Sequence, residues 1–203
     1  MTSILNLKAA NKEPLTYRFS FTGANAMISE FIKVAELVNE GKSVEDIGNE
    51  VLGREKGETN RREFRELAHR IKSLTPKQIE ILAEGNLDEQ QQITHLALCK
   101  TYGIYKDFVA EVLAEKIKVF DNELTELDYN SFISKKKMEH PELEKLADST
   151  QKKVKQVIYR MLQQVGIIDS MSNPSILSPV LGVRVHEAIK QDDPTLLQCF
   201  LVN

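Results

Sequence analysis

The chain has 203 residues, of which 41% are hydrophobic, so it can form one large domain or two small ones with real apolar cores. The net charge of −3 excludes a protein that binds polyanions over its whole surface, and any nucleic-acid site must come from a local excess of cations. The longest uncharged run, from Ser170 to Val183, is shorter than the ~18 apolar residues of a membrane helix. With no recognisable secretory leader and two cysteines, the sequence predicts a cytoplasmic protein with reduced thiols.

The N-terminal elements are predicted to follow a polar arm that runs to about Pro14. Aromatic and polar residues alternate in Tyr17-Arg-Phe-Ser-Phe, and this alternation predicts a short extended segment. The next apolar positions recur at helical spacing, and they are Met27, Ile28, Phe31, Val34, Ala35 and Val38. Gly41 ends this helix, and Ser43 followed by Asp46 is a capping signal for a short helix to about Leu52.

A basic helix is predicted from Thr59 to Leu74. Its outer face and flank carry three candidate phosphate-binding residues, namely Arg61, Arg62 and Arg65. Because two helices precede it, the N-terminal half is predicted to be helix-turn-helix-like. Acidic residues lie among the arginines, and pairs such as Glu66 with Arg70 leave ordinary surface pairing open as an alternative.

The middle of the chain is predicted to contain helices near 76–84, 89–102 and 104–118. Thr75-Pro76 is a typical helix start, because threonine caps the first turn and proline fits inside it. Gly85-Asn86 is the best domain boundary. The predicted division is a helical N-terminal domain, residues 1–85, and a helical C-terminal domain, residues 86–203.

The C-terminal domain is predicted to end in a winged-helix-like unit at about 125–190. Two short helices, roughly Asp128 to Lys137 and Pro141 to Ala147, precede a longer helix that Ser149 or Thr150 caps and Gly166 terminates. Ile167-Ile168 and a segment from Ser175 to Val185 are predicted to form a small β-hairpin around Ser178-Pro179. The overall fold class is therefore mainly α.

The long helix of this unit resembles a DNA-recognition helix. One stripe is apolar, and the opposite face and its flanks carry Lys152, Lys153, Lys155, Gln156, Tyr159, Arg160 and Gln163. No Asp or Glu occurs from residue 149 to 168, so cations for phosphates stand beside groups that hydrogen-bond to base edges. A solvated surface helix has the same pattern, and that alternative stays open.

Catalytic and metal-binding patterns are absent from the sequence. His95 and Cys99 share a helix face but lack two further ligands for zinc, and Gly53-Arg-Glu-Lys-Gly lacks the order of a phosphate-binding loop. Asp107 and Glu111 are more often a solvated face than an acid–base pair. We expect no catalytic residues, no metal, no cofactor, no small-molecule substrate and no membrane association.

Several segments together resemble the BrxA family of the BREX bacteriophage-exclusion systems. They are Tyr17-Arg-Phe-Ser-Phe-Thr-Gly-Ala, Arg65-Glu-Leu-Ala-His-Arg-Ile-Lys-Ser-Leu-Thr, Cys99-Lys-Thr-Tyr-Gly-Ile-Tyr-Lys-Asp-Phe-Val-Ala-Glu-Val, and Asp148-Ser-Thr with Leu162 to Ile168. The resemblance implies a small, mainly helical cytoplasmic component of a bacterial defence operon that works beside a DNA methyltransferase and ATPases. The family has been likened to an RNA-binding antitermination protein and also regarded as DNA-binding.

Two functions remain open from the sequence. The first is a non-enzymatic module that binds duplex DNA with low sequence specificity through its basic helices, with RNA binding as a variant. The second is a helical adaptor that docks other subunits of a defence complex.

Overall fold

The computed structural model describes residues 17–53 and 57–202, and most of these are helical, which confirms the predicted fold class. The α-helices of these ranges are α1 (Ile28–Asn39), α2 (Glu58–Ser73), α3 (Pro76–Glu84), α4 (Leu87–Thr101), α5 (Gly103–Phe108), α6 (Ala114–Lys118), α7 (Glu126–Glu139), α8 (Asp148–Gln164) and α9 (Val183–Asp192). A π-helical turn, Val109–Leu113, joins α5 to α6. Short 3-10 turns occur at Ser20–Gly23, Asn49–Leu52, Pro141–Leu143 and Pro194–Phe200. The predicted arm through Pro14 lies outside the described residues.

The starts of three helices are fixed by reciprocal capping boxes. In each box, two side chains accept hydrogen bonds from each other's backbone N–H groups, and the pairs are Thr75 with Gln78, Asn86 with Glu89, and Thr125 with Asp128. The predicted helix start at Thr75-Pro76 is confirmed. Asn86 therefore begins a helix directly where the sequence suggested a boundary.

Two predictions for the N-terminal region are wrong. Ser20 and Phe21 do not belong to an extended segment, because Ser20–Gly23 forms a 3-10 turn that buries the Phe21 ring 5.0 Å from that of Tyr102. Ser43 and Asp46 close a turn instead of capping an α-helix, with the Asp46 N–H donating to Ser43 Oγ over 3.2 Å. In the first case the Phe21 ring packs on Tyr102 from a turn, and in the second the predicted capping hydrogen bond closes a turn.

The core between α2 and α4 contains a buried charged network. Arg70 Nε donates to Tyr102 Oη over 3.1 Å, Arg70 Nη1 donates to the Ala26 carbonyl over 2.7 Å, and the Tyr102 hydroxyl donates to Glu66 over 2.7 Å. Arg70 is fully buried and Glu66 is 3% exposed. The interpretation of Glu66 and Arg70 as an ordinary surface pair is therefore wrong, and burial raises the pKa of Tyr102 to about 12.

Residues 17–26, here called the N-terminal strap, contact several helices. The Tyr17 N–H donates to Glu142 over 2.8 Å, its hydroxyl donates to Asp107 over 2.7 Å, and its ring stacks on His140 at 3.7 Å. At the other end, the Ala26 N–H donates to Gln164 Oε1 of α8 over 2.9 Å. The strap thus joins the N-terminal helices to α5 and α8.

The two predicted domains share contacts across residue 85. Buried apolar side chains from both sides belong to one continuous cluster. Gln78 Nε2 of α3 donates to the Ala188 carbonyl of α9 over 3.2 Å. The division into residues 1–85 and 86–203 stays a prediction.

The C-terminal unit differs from its prediction at two places. The predicted helix from Pro141 to Ala147 is a single 3-10 turn, Pro141–Leu143. The β-hairpin is not confirmed, because the described residues contain no strand and only the isolated antiparallel bridges Ile168–Ile176 and Glu123–Ser175. Val183–Val185, predicted to be extended, begin α9, because Val185 and Ile189 repeat at helical spacing and are buried.

Candidate nucleic-acid interface

Helix α8 begins and ends close to its predicted limits, but its start is built differently. It begins at Asp148 after Ala147, with no side-chain cap, so the predicted capping by Ser149 or Thr150 is wrong. The Asp148 carboxylate instead lies in the first turn, where negative charge suits the helix dipole. Gly166 follows the helix in a left-handed conformation with φ of 74°, as expected for a glycine terminator.

The apolar stripe of α8 faces the core as predicted. All six members are 5% exposed or less, namely Val154, Val157, Ile158, Met161, Leu162 and Val165. This burial fixes the rotation of the helix about its axis. Most of the opposite side faces solvent, with Lys152, Lys153, Gln156 and Gln163 exposed.

The exposed side of α8 carries cations without carboxylate partners. Lys152, Lys153 and Gln156 are exposed and Arg160 is half-exposed, and within the described chain Lys152, Lys153 and Arg160 form no ion pair. Lys153 Nζ donates to Gln156 Oε1 over 3.2 Å, and this neighbour is neutral. These three charges can bind an external anion without breaking an internal pair.

Lys155 is different from the other cations of α8. Its Nζ lies 2.7 Å from Glu126 Oε1 of α7 and sits over the rings of Tyr129 and Tyr159, at 5.5 and 5.9 Å from their centroids. The hydrogen bond from Lys155 lowers the pKa of Glu126. The charge of Lys155 is thus already compensated, and no sequence pattern could have indicated a partner 29 residues away.

Tyr159 does not lie on the outer face, contrary to the prediction. It is 6% exposed, its ring lies 5.9 Å from that of Tyr129 and 6.0 Å from that of Phe108, and burial raises the pKa of its hydroxyl. Aromatic rings of α7 and α5 therefore cover this flank of α8, which lies outside the apolar stripe. The helical wheel could not indicate that α8 is covered on more than one side.

The three arginines of α2 lie at the surface, but only some of them are free of hydrogen bonds that the structure describes. Arg61 and Arg65 are exposed and line a shallow groove with Glu45 and Glu58. Arg62 donates to the Ser20 carbonyl and to Thr22 Oγ1, both over 3.4 Å. The groove is therefore of mixed charge, as the acidic residues of the sequence suggested.

Arg62 also packs closely against Gly23 of the strap. Its guanidinium lies so close to Gly23 that a Cβ atom there would come within 2.4 Å of it. Since the strap also bonds to Gln164 of α8, one chain segment contacts both basic helices.

The residues considered for metal binding have structural roles. His95 accepts or donates at both ring nitrogens, with Tyr105 Oη at 3.0 Å and the Cys199 carbonyl at 2.8 Å, and burial lowers its pKa to about 4. Asp107 and Glu111 are not a solvated pair, because both bind the buried Lys136 amine. Among the described residues, no group of three potential metal ligands comes together.

Comparison with known proteins identifies the family. The BrxA family model matches residues 15–193. The chain belongs to the BrxA family. One curated relative is the BREX protein BrxA of Bacillus cereus (strain H3081.97), which is 25% identical over 180 residues that cover 86% of this chain and 90% of the relative. Another is the BREX protein BrxA of Escherichia coli O9:H4 (strain HS), which is 27% identical over 124 residues that cover 61% of this chain and 58% of the relative. The expected BREX phage-defence role follows from this membership, and other BREX proteins are its implied partners.

A solved structure shares this fold over most of the chain. The crystal structure of an uncharacterized protein from Magnetospirillum magneticum superposes with a TM-score of 0.79 at 19% identity and covers 91% of this chain and 97% of that chain.

Among the described residues, no helix is both long and apolar enough to cross a bilayer.

Proposed function

We propose that this chain is a non-enzymatic component of a BREX defence system that binds duplex DNA with low sequence specificity through α8. The observation that carries the proposal is the unpaired surface charge of α8. Lys152, Lys153 and Arg160 are available to phosphates, and no acidic side chain from residue 149 to 168 opposes them. These three cations outnumber the exposed amides of the predicted outer face, Gln156 and Gln163, which favours backbone contacts over base reading.

The order of elements around α8 supports a winged-helix-like use of this helix. The order is α6, an irregular segment that contains the bridge residue Glu123, then α7 and α8, and then two irregular segments that an isolated bridge joins. Leu177 N–H donates to the Ile167 carbonyl over 2.8 Å, and Ile176 N–H donates to the Asn122 carbonyl over 2.7 Å. With the isolated bridges Ile168–Ile176 and Glu123–Ser175, these bonds pair residues 174–177 with two other segments, and this pairing supports the proposed winged-helix-like unit.

The test is a titration of duplex DNA, single strands and RNA at several salt concentrations. Phosphate contacts make log affinity fall linearly with log salt, at about 0.9 per neutralised phosphate of duplex DNA. Replacing Lys152 and Arg160 with alanine should reduce this slope by roughly two units. The Lys152→Glu, Arg160→Glu variant should abolish binding while stability changes by no more than about 0.5 kcal/mol.

A matched control has the same charge change elsewhere. Lys33 and Lys42 are exposed near α1, and the Lys33→Glu, Lys42→Glu variant should keep most of the affinity. Intact melting with unchanged DNA binding in the α8 variant would contradict the proposal and favour the adaptor function. Stronger binding to RNA than to duplex DNA would favour the RNA-binding variant.

A further inference from the structure

A patch of exposed apolar side chains surrounds the connection between α6 and α7. Val119 is 72% exposed, Phe120 is 91% exposed and Leu127 is 73% exposed, and these three residues are here called the Phe120 patch. Val119 and Leu127 line one shallow groove together with the ring of Phe132. Single exposed apolar residues need no explanation, but several large ones together commonly mark a site of interaction.

The backbone at Phe120 makes this residue type more unusual. Phe120 has φ of 59°, in the left-handed region, directly after α6. Its N–H donates to the Ile117 carbonyl and the Asp121 N–H donates to the Lys116 carbonyl, both over 3.0 Å, which is the closing pattern of a Schellman motif. Glycine is the usual residue at that position because a Cβ atom is disfavoured there. Neither backbone preference nor core packing accounts for a phenylalanine.

The chain around the patch is rich in acidic residues, although Lys116 and Lys135 also line its groove. Residues 115–128 contain five acidic side chains and two lysines, a net charge of 2 − 5 = −3. Lys116 binds Asp121 at 2.6 Å and Asp128 at 3.3 Å, so one lysine serves two carboxylates. Lys155 compensates Glu126, whereas Glu123 forms no ion pair with any described residue. The surface around Phe120 therefore suits a partner that carries cations.

We propose that the Phe120 patch docks a basic amphipathic segment of another BREX protein. Apolar side chains of that segment pack on Phe120 and Leu127, and its lysines or arginines face Glu123 and Asp121. A second copy of this chain fits less well, because the apolar stripes of its own basic helices are buried in their core. This inference does not depend on DNA binding.

The patch lies beside the proposed DNA-binding helix. Leu127 follows Glu126, whose carboxylate binds Lys155 of α8. A subunit docked on the patch is thereby brought next to any nucleic acid on α8. The chain would then link a defence subunit to DNA through adjacent surfaces.

The decisive variant is Phe120→Gly, because it removes the apolar side chain and supplies the residue that the backbone conformation favours. Its melting temperature should equal or exceed that of the unaltered protein. The tagged full-length chain is co-expressed with the other proteins of its defence system, and the amount of each retained subunit is measured. Phe120→Gly and Glu123→Lys should each reduce retention of one subunit at least about tenfold, the loss expected when a central anchor of an interface is removed.

The control is Met138→Gln, which removes an equally exposed apolar side chain, 80% accessible, from the far end of α7. It should retain the subunit fully and, like Phe120→Gly, should bind DNA as the unaltered protein does. Glu123→Lys adds a cation in the cavity that Lys152 and Gln156 also line, so it should bind DNA more tightly. Benzoylphenylalanine at position 120 should crosslink to a peptide rich in apolar residues and lysine or arginine. No retained subunit with the unaltered protein, full retention by Phe120→Gly, or crosslinks only between copies of this chain would each overturn the inference.

Discussion

The two basic helices, α2 and α8, have similar amphipathic sequences but use their charges differently. In α2, Arg70 is fully buried and bonded to Tyr102, and Arg62 holds the N-terminal strap. In α8, Lys152 and Arg160 have no partner among the described residues. Counting cations along a helix therefore overstates the charge that α2 can offer to a phosphate.

The acidic residues explain this difference. In α2, Glu58 faces the same groove as Arg61 and Arg65, and Glu66 lies in the core. In α8, the one acidic residue is Asp148 in the first turn, so the rest of the helix keeps its positive charge. The exposed cations Lys152, Lys153 and Arg160 of α8 are therefore available to an external anion, as the proposed DNA binding requires.

The largest expected effect is on the helix that carries the proposed interface. Ile158 is fully buried in α8, and Ile158→Asp should lower the free energy of unfolding by about 4 kcal/mol, because it buries an unpaired charge. Ile158→Val should cost only about 1 kcal/mol and keep DNA binding. Thermal melting checks both variants, and a stable Ile158→Asp protein would show that α8 is not anchored as described.

The next effect concerns the buried arginine of α2. Arg70→Met leaves Glu66 and the Tyr102 hydroxyl without their cation, and it should cost about 3 kcal/mol. The double variant Glu66→Gln, Arg70→Met should recover part of this loss. The salt slope of DNA binding should stay unchanged in both, and a flatter slope would mean that Arg70 reaches DNA.

A smaller effect is expected from the surface of α2. Replacing Arg61, Arg62 and Arg65 with alanine should lower affinity about equally for all sequences and reduce the salt slope by about one unit for each phosphate that is no longer neutralised. Arg62→Ala alone should have the larger effect on melting, since it releases the strap. An unchanged slope would assign these arginines to surface pairing or to a protein partner.

The smallest effect concerns the ion pair that restrains Lys155. Because Lys155 lowers the pKa of Glu126, the pair stabilises the fold above the pKa of an unfolded glutamate and loses that contribution as the pH falls through the lower folded value. Glu126→Gln should remove this acid-dependent part and release Lys155, giving a modest gain in DNA affinity. Melting curves from pH 3 to 7, about the range where glutamate titrates, check the first effect, and unchanged affinity would show that Lys155 does not contact DNA.

The sequence predicted the features that depend on neighbours along the chain. The apolar stripe of α8, the glycine terminator Gly166 and the capped start at Thr75 all follow from local spacing, and all are confirmed. The misses depend on distant residues. Tyr159 is buried by α5 and α7, and Phe21 packs on Tyr102, so periodicity within one segment could not reveal either.

For the candidate interface too, the sequence predicted the features that depend on local spacing and missed those that depend on distant residues. Charge and spacing identified Lys152, Lys153, Gln156 and Arg160, and the structure places them at the surface. The compensation of Lys155 by Glu126 required the packing of α7 against α8. The burial of Arg70 required the position of Tyr102, which comes 32 residues later.

The strap has a consequence for how shortened forms of this protein behave. Deleting the chain through Ala26 would remove the acceptor of Arg70 Nη1, the donor to Gln164 and the ring stacked on His140. Such a truncation would loosen α2 and α8 together, although it removes no cation from either helix. If N-terminal truncation lowers nucleic-acid affinity, the cause would therefore be the loss of the strap's contacts with α2 and α8. Gln164→Ala should lower the affinity in the same way with the chain at full length.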